Sequence, residues 1–295
     1  MEFRVLQYFL AVTREQSISG AAEALHLSQP TLSRQLRELE EELGKQLFIR
    51  GSRRITLTEE GMILRKRAEE ITTLMHMAKD EVSLADNEVS GDVYIGAGET
   101  QGVRYLARAA QQLQAEYPLI HYHISSGDTT DVVENLERGL IDFGLLFGGL
   151  DTAKHEHLTL PTKDSYGVLM RRDSPLAQKE WIEPADLWDK PIILNRNTKD
   201  GISSDGKSIT HWLKKSLSEL NIAATYNLLY NGSLMVSEGV GYAICFDGII
   251  NTTNTPLCFR PLSPTVEAEM YLVWKRYQIL SKPAEKFLLK LQELI

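Results

Sequence analysis

The 295-residue chain is short of several things, and each shortage removes a class of function. It has two cysteines, Cys245 and Cys258, both in apolar segments with no adjacent basic residue. A disulfide framework is not expected, buried structural thiols are favoured over a redox pair, and a reducing, cytoplasmic setting fits. Its longest apolar runs, 141–150 and 240–246, fall well short of the roughly 20 residues of a spanning helix, so no membrane partner is expected. The opening MEFRVLQYFLAVTREQ lacks the basic start and small-residue cleavage site of a secretion signal. Nucleophile elbow, phosphate-binding glycine loop, HExxH helix and dinucleotide fingerprint are all missing, so neither an enzyme nor a cofactor is expected. The pairs His121 with His123 and His155 with His157 could each put two imidazoles on one side of a strand, but neither has a third ligand. No metal is expected.

Positive charge is also in deficit, with 32 Lys and Arg against 40 Asp and Glu and a net charge of -8. That argues against coating nucleic acid through bulk charge, though recognition needs only a local patch. The deficit is uneven. Residues 1–58 hold 8 basic against 7 acidic side chains, 59–90 hold 4 against 8, and the remainder 20 against 25.

What is present begins with Phe3, Leu6, Phe9, Leu10 and Val12, an amphipathic helix that loses its pattern at Gln16. A second helix follows with Ser19 as its expected cap and Gly20, Ala21, Ala22 and Ala24 small enough for close helix crossing. After the tight connection at His26 and Leu27, Ser28 caps a third helix with Pro30 in its first turn and Gly44 at its end. Its apolar stripe is Leu32, Leu36, Leu39 and Leu43. Two helices joined this closely describe a helix-turn-helix, and the strand-like runs KQLFI and RRITL, turning at Arg50, Gly51 and Ser52, describe a wing.

The polar side of the third helix suits DNA. Gln29 can pair with adenine, Arg34 can fork onto guanine, Ser33 can bond several base edges, and Ser28 and Thr31 suit phosphates at the helix N-terminus. Arg37, Arg50, Arg53 and Arg54 would supply backbone contacts. The plain alternative is a solvated amphipathic helix, which Glu38, Glu40, Glu41 and Glu42 favour locally, although all four lie in its last two turns.

The run AAEALHLSQPTLSRQLRELEEELGKQLFIR, followed by LTEEG, closely resembles the N-terminal signature of LysR-type transcriptional regulators. The resemblance implies an N-terminal α winged helix-turn-helix over 1–58, a long linker helix over 59–90, and a two-lobed α/β effector domain over 91–295, like a periplasmic binding protein. It further implies a sequence-specific regulator of promoter DNA adjusted by a small-molecule effector between the lobes. Its oligomer would be a homodimer or a dimer of dimers (homotetramer), and an activator would also meet RNA polymerase.

From the residues themselves, Leu64, Ile71, Ala78 and Ala85 repeat every seven positions, with Ala68, Met75 and Val82 offset by four. Two interleaved rows describe a dimer seam on a helix on the order of 40 Å long, or a face packed on the chain's own domain. From Asp92 onward strand and helix patterns alternate, as in a parallel α/β sheet. The expected elements include a helix from Ser208 to Leu220, a strand TYNLLY, and a second set that begins near Asp164. The resemblance places lobe I at 91–161 and 266–295, and lobe II at 162–265.

Loops after strands in such lobes can bind ligands at helix N-termini. Gly98, Glu99, Thr100, Gln101, Asp128 and Thr129 hold those positions in lobe I, with Phe147 ending a strand. Asn195, Gly201, Ile202 and Asn231 hold them in lobe II. The resemblance singles out the hydroxyl at Thr100 as an effector contact. Turn and cap duty is the alternative for the Gly and Thr positions. Glu99 and Asp128 disfavour a purely anionic ligand and leave zwitterionic, cationic and neutral ones open.

Overall fold

The structure, a computed structural model, describes residues 1–51, 54–83, 89–147, 152–199 and 208–295. The chain divides into two compact units, Met1–Ser83 and Leu84–Ile295, each taken by itself below.

In the first unit, helix α1 (Phe3–Glu15) ends where Gln16 turns left-handed at φ 52°. Helix α2 (Ile18–Ala24) is capped by Ser17, whose hydroxyl accepts from the Gly20 amide, and not by Ser19 as expected. The helix simply starts one residue before Ser19, which its first turn absorbs. His26 takes φ 54°, and the Leu27 amide reaches back to the Ala22 carbonyl at 2.8 Å, making the sharp turn between helices. Helix α3 (Gln29–Leu43) opens at Ser28 and closes at Gly44, φ 63°.

Leu32, Leu36 and Leu39 are buried with Phe9, Val12 and Leu47 in one core. Leu43, expected to join them, is 40% exposed, because the helix ends beside it and the chain turns away into the wing. The wing pairs β1 (Phe48–Arg50) with β2 (Ile55–Leu57) antiparallel, so Arg50 belongs to a strand and not to the turn. Helix α4 (Glu59–Ser83) starts at Thr58, whose hydroxyl accepts from the Gly61 amide at 3.0 Å. A Cβ on Gly61 would sit 2.2 Å from the Leu47 carbonyl oxygen, so only glycine lets α4 cross the wing this closely.

The second unit has two lobes. In lobe I, strands β3 (Gly91–Ala97), β4 (Ile120–Ser126) and β5 (Phe143–Phe147) run parallel, with helices α5 (Val103–Glu116) and α6 (Thr129–Glu137) between them. In lobe II, β7 (Ile192–Asn195), β8 (Ile222–Tyr226) and β9 (Tyr242–Phe246) are also parallel. Two antiparallel strands link the lobes. Strand β6 (His155–Arg171) pairs with β11 (Glu267–Lys275) over its first part and with β9 and β10 (Leu257–Pro261) over its last. Helix α9 (Lys282–Leu294) then buries Ala284, Phe287 and Leu291 in the core of lobe I.

Two expected elements differ. The helix expected over 208–220 is only α7 (Ile209–Leu213), followed by a left-handed Lys214 and a separate short turn at Leu217–Glu219. The Trp188 indole donates to the Leu213 carbonyl at 2.9 Å and Ser216 caps the new turn, so side chains take the bonds a longer helix would have made. The run TYNLLY is a strand only to Tyr226, and Leu229 and Tyr230 already belong to helix α8 (Leu229–Ser237).

Candidate functional site

On α3 the Ser28 hydroxyl accepts from the Thr31 amide at 3.4 Å and shares a 2.8 Å bond with the Thr31 hydroxyl. Gln29, Pro30, Thr31, Arg34 and Arg37 are exposed and Ser33 is half-buried. The first two turns therefore present hydrogen-bonding groups to solvent while the leucines face inward. Three of the downstream glutamates are engaged within the unit. Glu38 lies 3.7 Å from Arg34, Glu40 accepts from the Leu47 and Phe48 amides at 2.7 and 3.2 Å, and Glu42 pairs with the amino terminus. Arg54 is exposed at the wing, the Arg50 backbone lies in β1, and Arg53 lies outside the described residues.

The heptad rows on α4 part company. Ala68 is buried and the half-buried Leu64 packs against the same core, so these two pack on the unit's own interior. Helix α1 lies against this stretch of α4 and claims that face. Ile71, Met75 and Ala78 are exposed, as are Ile63 and Leu74. The Val82 side chain and Ala85 lie outside the described residues.

Between the lobes lies a cavity of about 200 Å³. Lobe I supplies Gly98, Glu99, Asp128, Thr129 and Phe147 to its wall. Across from them stand Tyr166, Asn195, Tyr226 and Phe246, and the crossing strand β11 adds Glu267 and Glu269. Phe246 packs between Phe147 and Tyr166 with tilted rings, centroids 4.6 and 4.2 Å away.

Charged groups hold the lobes together around this cavity. The Arg196 guanidinium, from the loop after β7, donates to Asp128 and, at 2.8 Å, to Asp131 on lobe I. Burial pushes the Asp128 carboxyl up, but bonds from the Asp131 amide, Arg196 and Asn197 outweigh it and leave the carboxyl below the ordinary range. The Glu99 carboxylate accepts from the Leu229 amide, so a lobe I side chain caps the α8 helix of lobe II. Gln101 donates to the Gly248 carbonyl.

Thr100 and Gln101 do not line the cavity. The buried Thr100 hydroxyl donates to Asp164 on β6 at 2.5 Å and accepts from the Gly102 amide at 2.9 Å. Its capacity is used in the hinge, because β6 brings a carboxylate to a position the local sequence did not reveal. Burial pushes the Asp164 carboxyl above the ordinary range, against the Thr100 and Gln101 bonds that favour its charge, and Asp247 adds to the rise. Asn231 is exposed on α8 and does not line this cavity; Asn227 and Leu229 stand in its place. Gly201 and Ile202 lie outside the described residues.

Several wall residues were not anticipated. Phe246 ends β9 as Phe147 ends β5, so the rule that found one would have found the other. Arg196, Glu267 and Glu269 carried no such signal. Of the histidines, His123 bonds Asp92 at 2.8 Å and the buried His155 bonds Glu137 at 2.9 Å. Both cysteines are buried, and burial pushes the Cys245 thiol up to about 12.

A family model described as "Bacterial regulatory helix-turn-helix protein, lysR family" matches residues 3–62, and one described as "LysR substrate binding domain" matches residues 86–294. The chain belongs to the LysR family of transcriptional regulators. A LysR-type chain binds DNA through its helix-turn-helix and a small-molecule effector through its substrate-binding domain, and the family is one of regulators, not of enzymes. Among relatives, it is 30% identical over 303 aligned positions to the HTH-type transcriptional regulator BsdA of Bacillus subtilis (strain 168), covering 98% of this chain and 99% of that one. A hydrogen peroxide-inducible genes activator of Haemophilus influenzae is 27% identical, covering 90% and 92%. The LysR fold extends over the whole chain, since full-length CbnR in complex with its target DNA superposes at a TM-score of 0.71 with 19% identity, covering 99% of each chain. Among the described residues, no helix is long and apolar enough to cross a membrane.

Proposed function

We propose that this regulator reads promoter DNA with the first half of α3 and senses a small molecule in the cavity between its lobes. The observation that carries the reading is the division of α3, whose leucines face the core while Gln29, Thr31, Arg34 and Arg37 stand exposed at its N-terminal end. Gln29, Ser33 and Arg34 meet base edges, Ser28 and Thr31 meet phosphate, and Arg37 and Arg54 add the salt-dependent backbone contacts, joined by Arg50 and Arg53 from the wing. The chain acts in the cytoplasm as a homodimer or a dimer of dimers, with the exposed part of α4 toward its partner copy. As an activator it also meets RNA polymerase. It carries out no catalysis, and its functional parts divide at 1–58, 59–90 and 91–295.

In the cavity, Glu99, Asp128, Thr129, Phe147 and Asn195 meet the effector. A bound molecule shifts the balance between closed and open lobes by touching both walls at once. Arg196 and Glu99 favour the closed arrangement, so a ligand that displaces either contact opens the lobes, and one that bridges them keeps the lobes shut. Peroxide sensing, the role in the name of the Haemophilus relative, is disfavoured here because both thiols are buried and Cys245 stays protonated.

Fluorescence anisotropy on duplexes from the chain's own promoter region tests the reading face. Arg34→Ala is expected to cost about 1–3 kcal/mol on the specific duplex only, whereas Arg54→Ala weakens all duplexes alike and lowers the salt slope by about one. Equal losses on specific and scrambled duplexes for Arg34→Ala refute its assignment to a base.

A further inference from the structure

The charged groups around the interlobe cavity are already engaged with one another. The Glu99 carboxylate accepts from the Leu229 amide at the start of α8, where the positive end of that helix balances it. Asp128 is buried and shares the Arg196 guanidinium with Asp131, so the arginine is engaged as well. Strand β11 adds no free carboxylate. Glu267 stands opposite Ser165 and Glu269 opposite Lys163, so by the alternation of strands their side chains leave the sheet on the face away from Tyr166, while Ala268 between them turns toward the cavity. On that other face Glu269 is bonded to Lys163 and Tyr271, and Glu267 is exposed. Residues 199–207, whose side chains lie outside the described set, hold Lys199 and Lys207 against Asp200 and Asp205 and so add no net charge.

What the cavity offers a ligand is therefore apolar surface and uncharged polar groups. Tyr166 and Phe246 face each other in the β6–β9 register, and with Phe147 their rings make a continuous aromatic wall. The Tyr166 phenol has no hydrogen-bond partner among the described residues, and burial, with Asp164 and Cys245 nearby, holds it above its ordinary range. It stays protonated, able both to donate and to accept. Either sign of charge would fare worse. An anion would meet three carboxylates, Glu99, Asp128 and Asp131, against the single guanidinium of Arg196, and a cation would find their oxygens already bonded to the α8 amide and to that arginine. A zwitterion needs a free partner of each sign. Size narrows the choice further, since a cavity of about 150 Å³ holds one benzene ring and this one measures about 200 Å³.

We infer that the interlobe cavity takes an uncharged, single-ring aromatic molecule bearing one short hydrogen-bonding group. The ring lies against Phe147 and Phe246, and the polar group meets the Tyr166 hydroxyl. This inference rests on the cavity being the effector site. It adds the charge and the size of the ligand to that reading.

A matched set of probes tests it. Phenylacetamide, phenylacetate and phenethylamine share a benzyl group and at neutral pH carry no charge, a negative charge and a positive charge. Each is titrated into the full-length protein by calorimetry, with thermal unfolding followed in parallel. Phenylacetamide is expected to bind and to raise the unfolding temperature, and each charged probe is expected to bind at least about tenfold more weakly. Tyr166→Phe is expected to weaken the amide roughly two- to tenfold, the effect of one neutral hydrogen bond. Because that hydroxyl has no other partner among the described residues, the unliganded variant should unfold where wild type does. Phe246→Leu, which keeps the bulk and removes the ring face, is expected to weaken the amide as well.

A charged probe that binds as tightly as the amide, with loss in Phe246→Leu, overturns the neutral assignment and leaves the cavity as the site. Amide binding that is the same in Tyr166→Phe, Phe246→Leu and wild type removes the cavity itself from consideration. Undiminished binding in Tyr166→Phe alone removes its hydroxyl from the site and with it the stated pose. Failure of the amide to bind at millimolar concentration also overturns the inference.

Discussion

Replacing Thr100 with Val keeps the shape of the side chain and removes one hydroxyl, so its consequence can be worked from two bonds. The hydroxyl donates to the buried Asp164 carboxyl at 2.5 Å and accepts from the Gly102 amide at 2.9 Å. A hydrogen bond to a charged group contributes about 1.5–3 kcal/mol, and in the variant Asp164 has no side-chain donor of this kind. For a unit of about 200 residues each kcal/mol moves the midpoint by roughly 2–4 °C, so a fall of roughly 3–12 °C is expected.

The loss should depend on pH. Asp164 has its folded value raised above the unfolded one, so folding favours its protonated form; that contribution is full below the unfolded value and fades as pH rises through the folded one. The Thr100 bond opposes the rise. Without it the folded value climbs further, and the deficit grows from about pH 4.5 to about pH 7.5. Thermal unfolding of the full-length variant by near-ultraviolet circular dichroism at the two pH values reads both effects. A midpoint within about 1 °C of wild type at neutral pH, or an equal loss at both, would show that Thr100 does not hold the hinge.

Other consequences follow from burial and exposure. With the Cys245 thiol pushed up to about 12 by burial, alkylation by iodoacetamide at neutral pH should be far slower than for free cysteine, read by mass spectrometry of the folded chain; modification at the rate of a free thiol contradicts it. Leu74 is exposed on α4 and its replacement by Glu should leave the fold of the first unit intact, while sedimentation velocity shows a smaller species than wild type; an unchanged species places the seam elsewhere.

The first sixty residues were legible because their determinants are local. Ser28, Pro30 and Gly44 act on neighbours within a turn, and the leucine spacing needs only the helical period. The departures there are small: the cap of α2 lies two residues earlier than expected, Leu43 leaves the stripe, and Arg50 belongs to a strand and not to the turn. The hinge was not legible for the opposite reason. Thr100 sits in a loop that reads as a ligand-binding turn, and its real partner, Asp164, is sixty-four residues away on a strand whose first half did not look like one.

The start of α8 was hidden similarly. Its first amide is satisfied by Glu99 from the other lobe, so nothing within TYNLLY marks a helix. Periodicity likewise assigned Leu64 and Ala68 to a seam, since it reports which side of a helix is apolar and not what covers that side. Arg196 shows the same limit in the cavity, where a single loop arginine neutralises Asp128 and alters the charge count of the site.

Base reading by the early face of α3 is tested most directly by selection of bound sequences from randomised duplex DNA. Wild type should enrich a sequence of two related half-sites about one helical turn or a multiple of it apart, as two-fold symmetric readers do. Arg34→Ala and Gln29→Ala should each relax preference at a different position within the half-site while leaving the others. Enrichment of no sequence by wild type, or of the same sequence with undiminished preference by both variants, would contradict it.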